Sequence, residues 1–580
     1  MRLRRGVVLA LCAVAVTSGC ANIPDYSNPH AVVDSNAAPR EVVQGPTPGL
    51  NPADLVREYV NRSGNPDAAR SYLTGGAQSR WRGGDQPIII HEVFGARPLP
   101  AKVRRQEGDR VGGENTQVVL LEMTKIGRLG ADQAFVPAVG VVNEEVTVRR
   151  ENGEWRIADP PDAVYVPTDK FEASYRAVTV YYFDRDLRIT VPDLRYVQDQ
   201  PQAGLPARVI STLLSGPSDT LGGSVVSPLQ GVETRTNVVS NDGAIVVDLN
   251  PPGDLTKEQR SLIAAQIVMS LRDVNSFGAP VRLMIDGQDL VPGHRDWLPT
   301  EIEDYAALAT PTSDLSGMVA VDGRLRSLDD NGDAIPGPAG DGTYHVQSAA
   351  QSIDGEMLAV VEQTSTGARL RVGRLGEPMQ VVEQNVTTLT RPTWMVSAST
   401  QAPADEVWTV ADGKVVRVVR LGDGTWKSLD VNASAMTSYG QITELRLSRD
   451  GARVAAVAAG RLVVASVVRK DEAVNLEQPR QLVPQMIVEA VDVDWLDQRT
   501  LVVAADQAQL SVMNVSVDGR QLAEYDTANL SPPVSAVTAA PGKNIVVTDS
   551  LAVSTAPDRE QLWRQHPRAF GPNAIPFYPG

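Results

Sequence analysis

The C-terminal half of the chain carries a repeat that leaves few folds open to it. Five strand–turn–strand segments have turns near residues 354, 402, 450, 497 and 542, so successive copies lie 45 to 48 residues apart. A period in the forties with a hairpin in each copy is typical of the blades of a β-propeller. A single four-stranded sheet cannot bury both of its faces alone, whereas a ring of such sheets can. The repeat therefore predicts an all-β propeller over residues 315–580.

Two segments outside the five hairpins bear on the number of blades. The run "GMVAVDGRLRSL" precedes the first hairpin, and the chain continues beyond the last one to Gly580. We expect these two segments to complete one blade from both ends of the domain. Five blades are favoured and six are possible. The alternative is an open β-sandwich with accidental spacing, and the regular interval argues against it.

A small α+β domain is predicted over residues 51–168. Asn51 can cap a helix that starts at Pro52, and apolar residues recur at helical spacing through "NPADLVREYV". The stretch "DAARSYL" continues helical, and the strand-like runs "PIIIHEVF", "TQVVLLEMTKIG" and "VGVVNEEVTVRR" follow. The turn "ENG" joins the last run to "EWRIADP" as a hairpin. Helices followed by a curled antiparallel sheet indicate a module of the cystatin-like cone type.

A second α+β domain is predicted over residues 175–292. The strands "YRAVTVYYFD" and "LRITVPDLRYV" precede the helix "LPARVISTLLSGP", which Gly216 and Pro217 end. The strand "AIVVDLN" is followed by a second helix, where Thr256 and Gln259 are spaced as a capping box. The strand "VRLMIDG" closes the unit. Among Tyr181, Tyr182 and Phe183 at least one ring is expected in the core, because adjacent strand residues face opposite sides.

The N-terminal stretch "VVLALCAVAVTSGCANIPDYSNP" indicates export. Arg2, Arg4 and Arg5 precede an apolar run that ends at Val16, which is too short to span a bilayer and is typical of a secretory signal. The small residues before Cys20 resemble a bacterial lipobox, although Thr17 stands where Leu is usual. We therefore expect residues 1–19 to be a lipoprotein signal peptide and Cys20 to carry S-diacylglycerol and an N-acyl group. An ordinary signal peptide with an incidental cysteine is the alternative.

The composition limits the partners and the chemistry. Residues 20–50 are rich in Pro, Asn and Ser and are expected to form a flexible tether. Cys12 leaves with the signal, so the mature chain can form no internal disulfide. The formal net charge of -16 disfavours nucleic acid, whose phosphates are neutralised by Lys and Arg. The lipid, rather than the protein surface, is then expected to hold the chain at the membrane.

The chain shows no catalytic constellation, and we expect neither enzyme activity nor a cofactor or metal. The histidines His30, His91, His294, His345 and His566 are scattered, and "HEVFG" lacks the second histidine of a zinc helix. No nucleophile elbow and no phosphate-binding glycine loop occurs. Trp394, Trp408, Trp426 and Trp495 are expected in the propeller core rather than at a sugar site.

Several aspartates have two interpretations. Asp329, Asn331 and Asp333 match the first positions of a calcium loop, but Ala334 and Gly340 replace the glycine and the glutamate that such a loop needs. A solvated turn is therefore favoured. Asp354 and Asp450, each followed by glycine, are expected at hairpin corners. Asp184 and Asp186 could serve a glycosidase, and a solvated strand face explains them as well.

The order of modules resembles one family. The segments that carry this resemblance are "TSGCANIP", "LPARVISTLLSGP", "AAQIVMSLRDV", "VRLMIDG" and the propeller series that ends in "NAIPFYPG". The second module resembles the GerM-type module called GerMN, and the whole chain is similar to the actinobacterial lipoprotein family LpqB.

The resemblance implies a function outside the cytoplasm. LpqB proteins are associated with the MtrA–MtrB two-component system, and the family implies binding to the external domain of a sensor histidine kinase of the MtrB type. The expected role is that of a non-enzymatic accessory that affects cell-wall homeostasis and division. The alternative is a lipoprotein that binds, or remodels, peptidoglycan or another envelope glycan.

Overall fold

The computed structural model describes residues 45–83, 86–100, 115–241, 243–275, 278–302, 312–396, 404–507 and 509–580. The signal peptide, Cys20 and most of the tether lie outside the described residues. From Val43 to Gly580 the chain forms one unit.

The N-terminal module begins with three helices, α1 (Pro52–Arg62), α2 (Pro66–Arg70) and α3 (Gly75–Arg80). The Asn51 side chain accepts a hydrogen bond from the Asp54 N–H at 3.0 Å, so the predicted cap is confirmed. The predicted helical stretch "DAARSYL" is shorter than expected, because α2 ends at Arg70 and the chain then turns toward the sheet.

One antiparallel sheet with a single parallel pair completes this module. Its strands are β1 (Ile88–Ile90), β2 (Gly95–Pro98), β3 (Thr116–Leu129), β4 (Phe135–Glu151), β5 (Glu154–Asp159) and β6 (Tyr165–Pro167). The order is β5-β4-β3-β1-β6, and β2 also pairs with β3. Asn152 and Gly153 take positive φ in the predicted hairpin turn. The apolar face of α1 packs on this sheet through Leu55, Val56 and Tyr59.

The second module starts after α4 (Thr168–Ser174) with a two-stranded hairpin. The hairpin is formed by β7 (Tyr175–Phe183) and β8 (Thr190–Gln198), and α5 (Leu205–Leu214) follows it. A second sheet and α6 complete the module: β9 (Glu233–Thr234), β10 (Val239–Asn241), β11 (Ala244–Asn250), α6 (Lys257–Leu271), β12 (Val281–Ile285), β13 (Gln288–Asp289) and β14 (Asp296–Trp297). β11 and β12 are parallel and α6 connects them.

Helix α6 lies in the middle of this module. It starts with the predicted capping box of Thr256 and Gln259, and it is buried continuously from Ile263 to Leu271. The Gln266 amide donates to the Tyr181 carbonyl at 2.8 Å, and the Ser270 hydroxyl accepts from the Tyr181 N–H at 3.0 Å. Polar side chains of the helix thus satisfy backbone groups of β7, which explains two polar residues in a buried helix.

The aromatic run at the end of β7 is more buried than the sequence required. Tyr181, Tyr182 and Phe183 all lie in the core of the second module, and the Tyr182 hydroxyl donates to the Leu213 carbonyl at 3.2 Å. Both faces of the hairpin are therefore covered, so the alternation of buried and exposed residues expected for a half-exposed strand does not occur.

The C-terminal domain is a ring of small antiparallel sheets. It begins with β15 (Met318–Val321), β16 (Arg324–Ser327) and α7 (Pro338–Asp341). Blade 1 consists of β17 (Val346–Gln351), β18 (Met357–Thr364), β19 (Gly367–Arg374) and β20 (Gln380–Val386). Blade 2 consists of β21 (Thr393–Trp394), β22 (Glu406–Ala411), β23 (Lys414–Arg420) and β24 (Trp426–Asp430).

Three more four-stranded blades follow in chain order. Blade 3 consists of β25 (Ile442–Leu447), β26 (Arg453–Ala458), β27 (Arg461–Lys470) and β28 (Ala473–Gln481). Blade 4 consists of β29 (Ala490–Trp495), β30 (Thr500–Ala505), β31 (Val512–Ser516) and β32 (Leu522–Glu524). Blade 5 consists of β33 (Ala536–Thr538), β34 (Ile545–Thr548), β35 (Val553–Ala556) and β36 (Arg564–Gln565). Short 3₁₀ helices span Gln202–Gly204, Arg272–Val274, Pro299–Ile302 and Ser434–Tyr439.

Both ends of the domain share blade 6. The strand β37 (Ile575–Phe577) pairs with β15, and β16 pairs with the other edge of β15. The expectation that the two flanking segments complete one blade is confirmed. The propeller consequently has six blades rather than the favoured five, because these segments form a separate sheet in addition to the five hairpin repeats.

The tryptophans of the propeller are buried as expected. Trp394, Trp408, Trp426 and Trp495 are all core residues. The Trp394 indole donates to the Ala350 carbonyl at 2.9 Å, and the Trp495 indole donates to the Arg446 carbonyl at 3.2 Å. Each of these two rings joins its own blade to the preceding one.

Candidate interdomain joint and binding groove

A buried ion pair on β8 lies where the three domains meet. The Arg195 guanidinium is fully buried and contacts the Asp193 carboxylate at 2.7 Å. Arg195 also donates to the Gly216 carbonyl at 3.0 Å and to the Asp132 carbonyl of the N-terminal module. Because one planar guanidinium joins its own strand to two other segments, it fixes their relative positions. We call the charged groups around Arg195 the joint.

The Asp193 carboxylate has further partners in the joint. It accepts hydrogen bonds from the Ser218 N–H at 2.8 Å and the Ser218 hydroxyl at 2.9 Å. Burial by itself raises the pKa of this carboxyl, but the charge of Arg195 and the Ser218 hydrogen bond together lower it below its usual value. Asp193 is therefore held in its charged form in the folded protein.

The N-terminal module reaches the second module through the turn between β3 and β4. The Tyr196 N–H donates to the Gln133 carbonyl at 2.9 Å, and Gln133 also bonds the Thr212 hydroxyl at 2.7 Å. The Asp219 N–H donates to the Asp132 carboxylate at 3.0 Å. This turn is thus fixed to β8 and to the segment that follows α5.

The hairpin β7–β8 lies against blades 3 and 4 of the propeller. Arg453 donates to the Pro192 carbonyl at 2.6 Å, and Gln498 donates to the Thr190 carbonyl at 3.2 Å. The Tyr196 hydroxyl donates to the Asp518 carboxylate at 2.7 Å. Burial, and secondarily the charge of Asp518, raises the pKa of Tyr196. The propeller therefore bonds the same strand that carries Arg195.

Further contacts extend the joint on both sides. Arg499 donates to the Thr179 hydroxyl at 2.7 Å, and Ser466 donates to the Thr220 carbonyl. Arg480 is partly buried near the joint, and this burial lowers its pKa to about 10. The three domains are joined by buried polar contacts as well as by apolar packing, in which Ala452 belongs to the core of the second module.

A second charged network fills the centre of the propeller. Arg391 contacts Asp494 at 3.3 Å and donates to the Pro576 carbonyl of blade 6 at 3.1 Å. Arg446 contacts Asp492 at 3.0 Å. Asp492 and Asp494 in turn accept hydrogen bonds from β33 of blade 5, from the Val537 N–H and the Thr538 hydroxyl. These groups connect blades 2 to 6 around the axis of the ring.

Glu444 belongs to this central network, which changes the pKa of its carboxyl group. Its carboxylate contacts Arg446 at 2.9 Å, and its side chain is 23% exposed. Burial raises the pKa of Glu444 to about 7; Arg446 opposes this rise, and the neighbouring Asp492 adds to it.

An open groove lies between the N-terminal module and blade 4. It has a volume of about 610 Å³, which is within the usual range for ligand pockets. One wall is formed by β3, β4 and α4, and the other by the propeller loops 483–486 and 519–521 together with β32. Much of the lining is apolar: Ile126, Pro137, Val139, Val483, Pro484, Met486 and Leu522.

The charged groups of the groove are divided between its base and its rim. The Arg520 side chain, 7% exposed, contacts Glu172 at 2.8 Å and lies over the rings of Phe135 and Phe171. Glu524 and Arg559 are exposed at the rim. Arg520 therefore joins the N-terminal module to blade 4 and closes the groove at its base.

The candidate residues of the sequence analysis have separate positions in the structure. Cys20 lies outside the described residues. His91 lines the groove, whereas the His566 ring bonds the Leu328 carbonyl in blade 6. His294 contacts Glu301 at 3.4 Å in the second module. The structure does not bring these histidines together.

Most of the aspartates with two interpretations accept hydrogen bonds from backbone N–H groups of the turn in which they lie. Asp329 accepts from the Gly332 N–H at 2.9 Å, and Asp184 accepts from the Ile189 N–H at 2.6 Å. Asp354 and Asp450 lie at hairpin corners, where they accept from the N–H groups of Glu356 and Ala452 at 3.0 Å, so their structural interpretation is confirmed. Within the described ranges, no group of three or more His, Cys, Asp or Glu residues is arranged to hold a metal ion.

The residues of the joint and the groove were not predicted from the sequence. One signal was present in "TVPDLRYV", where Asp193 and Arg195 interrupt an otherwise apolar strand. Two opposite charges two residues apart on a strand share one face, which allows a buried pair. Their partners Asp132, Gly216 and Asp518 are distant in sequence and gave no such signal.

Comparison with known proteins places each domain. A family model described as "Lipoprotein LpqB, N-terminal domain" matches residues 45–172, and one described as "Sporulation and spore germination" matches residues 179–291. A third model, "Lipoprotein LpqB beta-propeller domain", matches residues 323–579.

Curated relatives match along the whole chain. The lipoprotein LpqB of Rhodococcus opacus (strain B4) is 30% identical over 606 residues, covering 99% of this chain and 97% of the relative. That of Nocardia farcinica (strain IFM 10152) is 30% identical over 622 residues, covering 99% and 98%. Among solved structures, a chain of the nidogen/laminin complex matches with a TM-score of 0.33 and 10% identity, covering 45% of this chain and 96% of that chain.

The domains define a class of multidomain lipoproteins in which an α+β module and a GerMN-type module precede a β-propeller. In the part of the chain that the structure describes, no helix is long and apolar enough to cross a membrane. Given the identity and coverage of its relatives, the chain belongs to the LpqB lipoprotein family.

Removal of the central cation of the joint should destabilise the protein. We expect Arg195→Ala to lower the free energy of unfolding by about 3–5 kcal/mol, because it leaves the Asp193 carboxylate buried without its counter-charge. Thermal unfolding and limited proteolysis between the domains measure this effect. Arg97→Ala, which breaks an exposed pair with Glu122, is the control and should change stability by about 0–1 kcal/mol. Equal effects of the two variants would contradict the assignment of the joint.

The central network predicts a pH dependence of stability. The folded-state pKa of Glu444 is raised from 4.5 to about 7, so the folded state keeps a proton that the unfolded state releases. This difference in proton binding contributes to the free energy of unfolding below pH 4.5. The stabilising contribution is lost as the pH rises toward 7. We expect Glu444→Gln to remove this loss, so that the variant gains thermal stability relative to the wild type between pH 5 and 8.

The control for this prediction is Glu356→Gln, which changes an exposed pair with Arg374. Its melting temperature should follow the wild-type pH profile. Parallel profiles for Glu444→Gln and the wild type would show that Glu444 does not titrate in this range.

Proposed function

We propose that this protein is an envelope lipoprotein that regulates a sensor histidine kinase without catalysing a reaction. In this proposal Cys20 carries the lipid at the outer face of the cell membrane, after removal of residues 1–19. The folded domains bind the extracytoplasmic domain of a kinase of the MtrB type. Through the MtrA–MtrB pathway the protein then affects cell-wall homeostasis and division.

One observation carries the proposal: the buried joint holds three domains in one arrangement beside an open groove. Arg195 bonds the N-terminal and second modules, and β8 bonds blades 3 and 4. Three domains fixed in this way present a large preorganised surface, and preorganisation lowers the entropic cost of binding a partner. Membership in the LpqB lipoprotein family supports the placement in the cell envelope.

The lipid anchor would strengthen a weak contact with a membrane protein. An anchored protein and an anchored partner share a thin layer above the bilayer, so their effective concentration is far higher than in free solution. An affinity that is weak in solution is then sufficient in the membrane. This supports a regulator that acts by association.

A direct test uses the full-length lipidated protein in lipid nanodiscs. We expect it to bind the purified sensor domain of the kinase with a Kd in the micromolar range or tighter and to change autophosphorylation when both proteins share a membrane. The measurements are biolayer interferometry and phosphate incorporation. Purified sacculi serve as the competing ligand, because binding to sacculi without binding to the sensor domain would favour the glycan alternative and contradict the proposal.

The anchor is tested separately with Cys20→Ala. This variant should lose incorporation of labelled palmitate and its membrane association, while it retains binding to the sensor domain in solution. Continued palmitate labelling of the variant would show that Cys20 is not the lipidated residue.

A further inference from the structure

The strand β4 has a long edge to which no strand is paired. It pairs with β3 along almost its whole length, but β5 pairs only with its residues 147–151. Over residues 136–143 the structure describes no strand on the side of β4 away from β3. Such an edge offers backbone N–H and C=O groups to a further strand.

The register shows which residues point outward. The Arg150 N–H donates to the Asn115 carbonyl at 3.0 Å, which is on the β3 side, and the register runs unbroken from Arg149 to Gly140. Because alternate residues of a strand direct their backbone groups to opposite sides, Val141 and Asn143 direct theirs away from β3. These two residues form the centre of the open edge.

The same edge borders the groove. Thr124, which lines the groove, is the direct partner of Val141, so the Val141 side chain lies on the groove face of the sheet. A residue placed opposite Val141 on an added strand would direct its own side chain to that face, above the apolar lining. The groove and the open edge together therefore fit an extended backbone with apolar side chains at alternate positions.

Exposed apolar side chains collect around this edge. Val141 is 77% exposed and Val139 38% exposed on β4. Met486, 40% exposed, lies on the opposite wall. Exposed apolar side chains grouped in this way are typical of a surface that binds a partner.

The charges of the groove favour a basic partner. Glu92 and Glu524 are exposed at or next to the groove, and Arg559 is an exposed cation that lines it. Arg520 is buried and paired with Glu172, so its charge is already compensated. Lys or Arg residues at the ends of a bound segment would complement these carboxylates.

We propose that the open edge of β4 and the adjoining groove bind an extended peptide segment of a partner protein by β-strand addition. The segment has apolar side chains at alternate positions and basic residues at its ends. Backbone hydrogen bonds to Val141 and Asn143 supply affinity, and the groove selects the alternate apolar side chains. This binding mode goes beyond the proposed function, since it does not depend on the partner being a kinase.

The test is a selection of random decapeptides displayed on phage against the full-length protein in nanodiscs. We expect the enriched peptides to alternate apolar and polar residues and to carry Lys or Arg near their ends. A synthetic fluorescein-labelled copy of the most enriched peptide then serves as the probe. When it binds, hydrogen exchange at Val141 and Asn143 should slow, which requires no variant.

Two variants and one control separate the edge from the groove. Val141→Pro removes an outward N–H without touching the bonds to β3, and Met486→Glu places a charge in the apolar wall. Each should weaken binding of the probe peptide by about tenfold, equivalent to about 1.4 kcal/mol. Leu551→Glu changes an exposed apolar residue of blade 5, away from the groove, and should leave binding unchanged.

The proposal is overturned by any of three results. The selection enriches no peptides with this pattern, or the probe binds Val141→Pro as tightly as the wild type, or its binding leaves exchange at Val141 and Asn143 unchanged. Binding of radiolabelled palmitate in the groove without any peptide enrichment would also overturn it, and would assign the groove to an acyl chain. If the protein binds the probe peptide but does not bind the sensor domain of the kinase, only the proposed function is contradicted.

Discussion

The arrangement of this protein depends on one buried cation, the guanidinium of Arg195. It bonds the Asp193 carboxylate, the Gly216 carbonyl and the Asp132 carbonyl, which belong to separate segments of two modules. A buried charge without partners strongly destabilises a protein. Moving any of these segments away from Arg195 would therefore lower the free energy of unfolding. The same strand then bonds the propeller through Tyr196 and Pro192. The relative positions of the three domains thus depend on contacts of one strand, β8, which carries Arg195 and also bonds the propeller.

The groove is a consequence of this arrangement. Its walls belong to different domains, and they stand opposite each other only because the joint and the Arg520–Glu172 pair hold the N-terminal module against blade 4. A groove formed between rigid domains is preorganised, so a ligand does not have to order the walls when it binds. The contacts of the joint therefore have two effects: they stabilise the fold, and they shape the candidate binding groove.

Local patterns in the sequence predicted much of the fold. The hairpin repeat predicted the propeller because each blade is built from neighbouring residues, and the capping box at Thr256 and Gln259 was confirmed because its two partners are three residues apart. The favoured number of five blades was wrong, although the pairing of the two ends of the domain was expected, because β15 and β37 form a sixth sheet in addition to the five hairpin repeats. The burial of Tyr181, Tyr182 and Phe183 was underestimated because the residues that cover them, on α5, α6 and the second sheet, follow β7 at a distance in the sequence.

The candidate site was harder to predict, because its contacts join residues far apart in the chain. Nothing local to Arg195 indicates that Asp132 or Gly216 will bond it, and nothing local to Val139 indicates that blade 4 forms the other wall of its groove. The prediction for Cys20 has a different status: it rests on the pattern of the signal peptide, and the residue lies outside the described part of the chain.

A measured distance distribution shows whether the three domains form one rigid arrangement. Spin labels introduced at Arg80 in the N-terminal module and at Leu562 in blade 5, both exposed, report the separation of the two domains in the full-length protein by pulsed electron resonance. We expect one narrow distribution in the wild type that broadens when Arg195 is replaced by alanine. A broad distribution in the wild type, unaffected by that replacement, would contradict it.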